Sequence, residues 1–253
     1  MNDVPVLETR GLGRRFGGLQ AVSDVSFSVP KGEVLGVIGP NGAGKSTFIN
    51  LVTGHIKPTS GKVLIDGKDL TGRKPWTVAH AGVARTFQIV KPFRGMSVRE
   101  NVAVGVLYGP HHASTMGQAI RRADELLEEV GLVGVADRPP AELSVADARR
   151  LEFAKALASS PKLLLLDEVM AGLRPSEIEP SLELILRLKE QGLTILVVEH
   201  VMKAILAISD RVLVINQGKV LTSGEPRAVL SDPRVIEAYL GQRYASRRES
   251  KDA

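Results

Sequence analysis

Apolar positions along the chain fall into two rhythms. Short unbroken runs bounded by glycine or acids recur at EVLGVIG (Glu33 to Gly39), KLLLLDE (Lys162 to Glu168), LTILVVEH (Leu193 to His200) and RVLVINQGKVLTSG (Arg211 to Gly224). Their length and β-branching predict buried strands, the last folded into a hairpin at Asn216 to Gly218. Between them apolar residues return every three or four positions, as in Ile120, Ala123, Leu127 and Val130, or Ile178, Leu182, Ile185 and Leu188. That spacing marks one face of a helix. Strands alternating with helices predict a parallel sheet covered on both faces. The middle, from about Ile89 to Pro161, is helical in pattern and reads as a subdomain inserted into the sheet core. The polar end, GQRYASRRESKDA (Gly241 to Ala253), reads as a flexible tail.

Composition narrows the class. A chain of 253 residues suits one sizeable α/β domain with a smaller subdomain. Its 33 Lys+Arg against 28 Asp+Glu leave a net charge of +5, spread along the chain, which does not point to nucleic acid. Zero cysteines remove disulfides, thiolate catalysis and Cys-based metal sites, and fit a reducing compartment. No run approaches the roughly 18 apolar residues of a membrane span, and MNDVPVLETR lacks the succession of a signal peptide. A soluble, cytoplasmic chain is therefore expected.

The chemistry begins at GPNGAGKST, which comprises Gly39, Pro40, Asn41, Gly42, Ala43, Gly44, Lys45, Ser46 and Thr47. It fits G-x-x-x-x-G-K-[ST] and lies between a strand ending at Ile38 and a helix beginning near Ser46. Glycines let backbone N–H groups turn toward a phosphate, the helix N-terminus adds partial positive charge, Lys45 reaches the β- and γ-phosphates, and the Ser46 hydroxyl ligates Mg²⁺. A nucleoside triphosphate site is expected.

After four leucines, Asp167 and Glu168 emerge at the strand's C-terminal end, the edge where open α/β sheets bind ligands. Successive strand side chains point oppositely. Asp167 is accordingly assigned to the Mg²⁺ shell and Glu168 to a water beside the γ-phosphate. His200 ends another buried strand beside Glu199; taken alone, it reads as a histidine satisfied by local hydrogen bonds. The pair His111 and His112 has no third metal ligand nearby in sequence and reads as a solvated loop.

These pieces, with LSVADARRLEFAKAL (Leu143 to Leu157) just ahead of the acidic pair, resemble the ATP-binding cassette (ABC) ATPases from about Leu7 to Leu240. The resemblance implies an α/β P-loop NTPase fold of RecA-like type, with an antiparallel β subdomain and an inserted helical subdomain. The core would span about 1–88 and 161–240, the helical part about 89–160, and the tail 241–253. It further implies ATP and Mg²⁺ as cofactors. Gly39 to Thr47 becomes the Walker A loop, Leu163 to Glu168 Walker B, Glu168 the general base and His200 the switch that contacts the γ-phosphate. Gln88, in VARTFQ, becomes the glutamine that senses Mg²⁺ and the water. Phe16, in RRFGGLQAV, either stacks on adenine or packs in the core.

The opening of LSVADARRLEFAKAL corresponds to the signature motif usually written LSGGQ. In this family its serine, here Ser144, and helix-start N–H groups, here including Ala146, bind the γ-phosphate held by the partner subunit in a head-to-tail dimer. Val145 and Ala146 replace the two motif glycines, Asp147 replaces Gln or Glu, Val169 follows the acidic pair in place of proline, and Arg174 replaces the Asn or Asp of the D-loop. Alanine lacks glycine's access to positive φ, so Ala146 is expected to weaken the anion contact unless the backbone there is helical or extended. Asp147 would repel a γ-phosphate unless turned aside.

RTFQIVKPFRGMSVRENVAVGVLYG (Arg85 to Gly109), RRLEFAKALASSPKLLLLDEVMAGLRPSE and DPRVIEAYLG (Asp232 to Gly241) resemble the LivG-type ATPases of branched-chain amino acid importers. That resemblance implies a second ATPase, LivF-like or a second copy of this chain, two integral-membrane permeases, and indirectly an extracytoplasmic substrate-binding protein. The chain would lie on the cytoplasmic face of the inner membrane. Lys91, Phe93, Arg94, Met96 and Val98 are candidates for the groove that grips a permease loop, with core packing an equal alternative for Phe93 and Met96. Two rival readings are a lipopolysaccharide-export ATPase and a nucleotide-dependent assembly or regulatory module. The ENVAVGVLYG run and the DPRVIEAYLG end favour the importer over the first. Glu168, His200 and Gln88 together argue against the second.

Overall fold

Four of the apolar runs alternate strictly between two hydrophobic clusters. Val34, Ile38, Leu164, Leu166, Ile195, Val197, Val212 and Val214 enter one, while Leu35, Val37, Leu163, Leu165, Leu196, Val198, Leu213 and Ile215 enter the other. A strand buried on both faces must do this, because its side chains project to opposite sides. In the computed structural model, which describes residues 4–87, 91–110 and 113–240, these runs form the centre of a six-stranded sheet.

The elements, in chain order, are β1 (Leu7–Phe16), β2 (Leu19–Val29), β3 (Val34–Ile38), α1 (Lys45–Val52), β4 (Ser60–Ile65), β5 (Lys68–Asp69), α2 (Pro75–His80) and β6 (Val83–Arg85). Then come α3 (Val98–Tyr108), α4 (Met116–Glu129), α5 (Val145–Leu157), β7 (Leu163–Asp167), α6 (Pro175–Glu190), β8 (Thr194–Val198) and α7 (Met202–Ile208). The chain closes with β9 (Arg211–Asn216), β10 (Lys219–Gly224), α8 (Pro226–Leu230) and α9 (Pro233–Leu240). The main sheet has the order β10-β9-β3-β8-β7-β6 and is parallel except for β10. The hairpin is present, with Gln217 and Gly218 both at positive φ, as a two-residue turn requires.

A second, antiparallel sheet has the order β2-β1-β4-β5. Alternation did not reveal it. β1 carries charges and two glycines, and its pairing with β2 shifts register three times; each irregularity breaks the two-residue period.

Between β6 and β7 every regular element among the described residues is helical. Ser97, Thr115 and Ser144 cap α3, α4 and α5 through their side chains, satisfying N–H groups that helix starts leave open. The helices are not a separate body of apolar contacts. Val98, Leu126, Leu127 and Leu151 share one cluster with Leu164, Leu166 and Val197 of the sheet. The opposite face is covered by α1 and the second sheet, through Phe48, Ile49, Leu7 and Val63. No helix among the described residues is long and apolar enough to cross a membrane.

Because Leu126 is 1% exposed and belongs to the shared cluster, Leu126→Ala should cost about 2–5 kcal/mol. Urea titration should show one transition at a lower midpoint with an unchanged slope. A separate early transition would show that the helices hold a core of their own.

Candidate functional site

The parallel ladder sets Val37, Val198 and Asp167 level across β3, β8 and β7. The segments that follow, Gly39 to Gly44, Glu199 to His200 and Glu168 to Gly172, therefore leave the sheet side by side.

The loop after β3 is drawn tightly onto its neighbours. A Cβ on Gly39 would stand 2.0 Å from the Ile215 carbonyl oxygen, and one on Gly44 2.4 Å from that of Ala21. Gly44, at φ 104°, is also the N-cap of α1 and brings no capping side chain, so the helix's first N–H groups are left to a ligand. The hairpin turn clamps the loop: Gly218 N–H donates to Ala43 O at 2.8 Å, and Ser23 N–H to Gly218 O at 2.7 Å. Lys45 folds back onto the loop, its Nζ 2.6 Å from Gly39 O and 3.1 Å from Pro40 O. Burial lowers the pKa of this ammonium, against the opposing pull of Glu168 and Asp167.

Both acids thus face the loop, but not as alternation predicts. Asp167 is the last residue of β7, on the face that holds α1, as Leu163 and Leu165 are. Glu168 lies beyond the strand in the left-handed region at φ 51°, a conformation that costs a non-glycine residue about 1–2 kcal/mol. Its N–H donates to Val198 O at 2.9 Å, and Ala171 N–H donates to Glu168 O at 3.2 Å. The turn, rather than the strand period, aims Glu168 into a cleft of about 520 Å³ lined by Phe16, Gln20, Gly42 to Thr47 and Gly218. Phe16 is 41% exposed there, under the Arg14 guanidinium at 4.5 Å, so it is a wall of the cleft and not core.

His200 is exposed two residues past the end of β8. Gln88 lies outside the described residues, as do His111, His112 and the tail from Gly241. Ser46, which lines the cleft beside Lys45, and Asp167, whose charge acts on Lys45, are a hard hydroxyl and a hard carboxylate, a donor set that suits Mg²⁺. Among the described residues no group of three His, Cys, Asp or Glu gathers to hold a metal by itself, and a phosphate-bridged ion needs none.

The signature segment sits apart from this cleft. Ser144 caps α5, accepting from Asp147 N–H at 3.1 Å and donating to Asp147 Oδ2 at 2.8 Å. Arg150 lies 3.6 Å from the same carboxylate, so Asp147 is partly neutralised, but it stays at the helix start on the Ser144 hydroxyl. Ala146 occupies the second helical position of α5 and has no positive φ. The conformational reason for a weakened anion contact is therefore absent, because helical alanine presents its N–H as glycine would. Val169 is buried, and Arg174 caps α6 against Glu177.

Of the groove candidates, Lys91 lines a cavity of about 570 Å³ together with Trp76, Phe87, Arg85, His55 and Lys155. Phe93 and Met96 are 51% and 39% exposed, on a loop that the buried Asn101 pins at Phe93, Met96 and Ser97. Val98 is fully buried. It is a core residue at the start of α3, not a groove residue, because it faces the shared cluster. Sequence reasoning missed Trp76 and His55 at this cavity, the Gly218 clamp, and Glu199. The glycine in the hairpin turn was a usable signal for the clamp. Nothing in the sequence marked the others.

Glu199 is 1% exposed, with Oε1 accepting from Met170 N–H at 2.9 Å. It braces the turn that carries Glu168.

A family model described as "ABC transporter" matches residues 22–171, and one described as "Branched-chain amino acid ATP-binding cassette transporter" matches residues 219–245. The chain is 42% identical over 251 residues to the high-affinity branched-chain amino acid transport ATP-binding protein LivG of Escherichia coli, covering 94% of this chain and 98% of that one. It is 40% identical, with the same coverage, to the corresponding protein BraF of Pseudomonas aeruginosa. Its fold is similar to the ADP conformation of an ATP-binding cassette of an ABC transporter, with a TM-score of 0.85 at 34% identity, over 94% of this chain and 99% of that one.

Burial, opposed by Met170 N–H and His200 and reinforced by Glu168, raises the pKa of Glu199. A carboxyl raised in the folded state contributes stability below its unfolded pKa, near 4.3, and loses it as pH rises through the folded value. Glu199→Gln keeps an acceptor for Met170 without the titration. Its stability relative to wild type should grow across that pH window, measured as urea midpoints against pH. A pH-independent difference would show that Glu199 does not titrate abnormally.

Proposed function

The chain belongs to the ATP-binding cassette (ABC) transporter family, and we propose that it is the ATP-hydrolysing subunit that drives an importer of branched-chain or related amino acids. The observation that carries this reading is the cleft that brings Phe16, the loop from Asn41 to Thr47 and Glu168 together. The match of residues 219–245 to the branched-chain model supports the importer over the lipopolysaccharide-export reading. An assembly module would need no base at Glu168.

Adenine stacks on Phe16, and the triphosphate lies over the loop N–H groups and the uncapped start of α1. Lys45 exchanges the Gly39 and Pro40 carbonyls for β- and γ-phosphate oxygens, a short side-chain swing that places its charge where phosphate charge accumulates. Ser46 and Asp167, with Gln88, would hold Mg²⁺, which would supply the positive charge that offsets the charge developing on the phosphates. Glu168 polarises a water whose oxygen attacks the γ-phosphorus; the bond to the ADP oxygen breaks, and the water's proton passes to the carboxylate. His200 contacts the γ-phosphate.

Ser144 and the α5 N-terminus, which do not line the chain's own cleft, complete the site of a partner ATPase, either a second copy or a LivF-like subunit. Two such domains pair head to tail under two permeases, on the cytoplasmic face of the inner membrane. An amphipathic permease loop seats in the cavity beside Trp76, Phe87 and Lys91 and against the exposed Phe93 and Met96. The substrate-binding protein acts only through the permeases.

Glu168→Gln should retain ATP binding, lower turnover by roughly 10²-fold or more, and trap a nucleotide-sandwiched dimer visible by size exclusion. Turnover equal to wild type would remove Glu168 as the base. Ala146→Gly should leave the ATPase rate of the assembled transporter unchanged, at a helix cost of up to about 1 kcal/mol. A clear rise in rate would show that alanine does weaken the signature contact.

A further inference from the structure

Arg85 closes β6 next to β7, with its guanidinium shared among three partners. Nη2 donates to Asp167 Oδ2 at 2.8 Å, Nη1 donates to Asn50 Oδ1 on α1 at 2.6 Å, and the Phe87 ring lies under it at 5.2 Å. The Arg85 and Asp167 side chains are 12% and 10% exposed, so solvent does little to screen or loosen the pair. Among the described residues the buried Arg85 Nε has no hydrogen-bond partner. The fork is thus held by its two Nη contacts and by the ring.

A carboxylate on a short side chain can rotate, and a metal ligand must not. The contact to Arg85 runs through Oδ2 alone, which leaves Oδ1 outside the pair. Asn50 fixes the other arm of the guanidinium to the helix that carries Ser46. Arg85 thereby ties the two oxygen donors, one on β7 and one on α1, into a single geometry. Arginine suits this because its planar fork is always charged and reaches two acceptors in fixed directions; lysine carries the charge without the fork.

We propose that Arg85 is a positioning residue for the divalent cation of the nucleotide complex: by gripping Asp167 Oδ2 and Asn50 it sets the orientation in which Asp167 Oδ1 meets the ion. The inference rests on the reading that Asp167 holds Mg²⁺. Partners that orient metal ligands typically affect metal affinity by 10–100-fold.

The probe is Mn²⁺ with ADP, read by electron paramagnetic resonance on the full-length protein. Arg85→Lys and Arg85→Gln should each weaken Mn²⁺ binding about tenfold or more. ADP affinity in EDTA should stay near wild type, and each variant should remain folded at the assay temperature even though loss of the buried pair lowers its thermal transition. Arg85 also forms part of the wall of the 570 Å³ cavity, so Arg85→Ala opens its vacated space to small solutes. Millimolar guanidinium should restore Mn²⁺ affinity to Arg85→Ala, and equimolar urea should not. Unchanged or tighter Mn²⁺ binding in folded Arg85→Lys and Arg85→Gln would overturn the proposal, as would equal rescue by urea. Asp167→Asn separates the two levels. If it too leaves Mn²⁺ affinity unchanged, the assignment of Asp167 itself fails; if it weakens binding while the Arg85 variants do not, only the role of Arg85 fails.

Discussion

The register of three parallel strands is the constraint on which the site depends. Val37, Val198 and Asp167 stand level, with adjacent strands about 4.8 Å apart, so the loops after β3 and β7 emerge about 10 Å from each other with β8 between them. Slipping β7 by one residue would turn Asp167 to the opposite face of the sheet, away from α1 and Lys45. The four leucines of β7 are all fully buried and split between two clusters. At about 1.5–3 kcal/mol for each such side chain, the hydrophobic core holds the register that the chemistry needs.

Around that edge the backbone adopts conformations that few residues accept. Gly39 and Gly44 pass so close to the carbonyls of Ile215 and Ala21 that a methyl group would collide. Glu168 stands at positive φ without glycine's freedom. Each departure is offset by contacts from a distant part of the chain: the Gly218 turn on the loop, the Val198 carbonyl on Glu168, and the Glu199 carboxyl on Met170. Strain of this kind, over-determined by its surroundings, is characteristic of sites held ready for a ligand.

The same pattern links the two halves of the molecule. The helix that carries Ser144 is tied by Arg149 to the carbonyls of Phe87 and Ala171, one beside the cavity and the other in the turn after Glu168. Arg85 spans from that cavity to Asp167. Side chains already in contact therefore join the helical segment to the turn that carries Glu168.

Much of this was legible in the sequence. The buried strands, the phosphate loop and the acidic pair each write themselves in fewer than ten consecutive residues, because burial on both faces, close backbone approach and strand-end position impose local patterns. The antiparallel sheet was not legible by pattern, since the register shifts of β1 erase its alternation. Nor did local sequence separate Val98, a core residue, from its exposed neighbours Phe93 and Met96: all three are apolar, and only packing decides which of them faces the sheet. The aim of Glu168, the helical placement of Ala146 and the grip of Arg85 on Asp167, 82 residues away, were settled by tertiary structure alone. Sequence determined which chemical groups the chain carries and which strands deliver them, because those depend on neighbours along the chain. Only the fold decided how the groups are oriented, because orientation depends on partners brought together across the sheet.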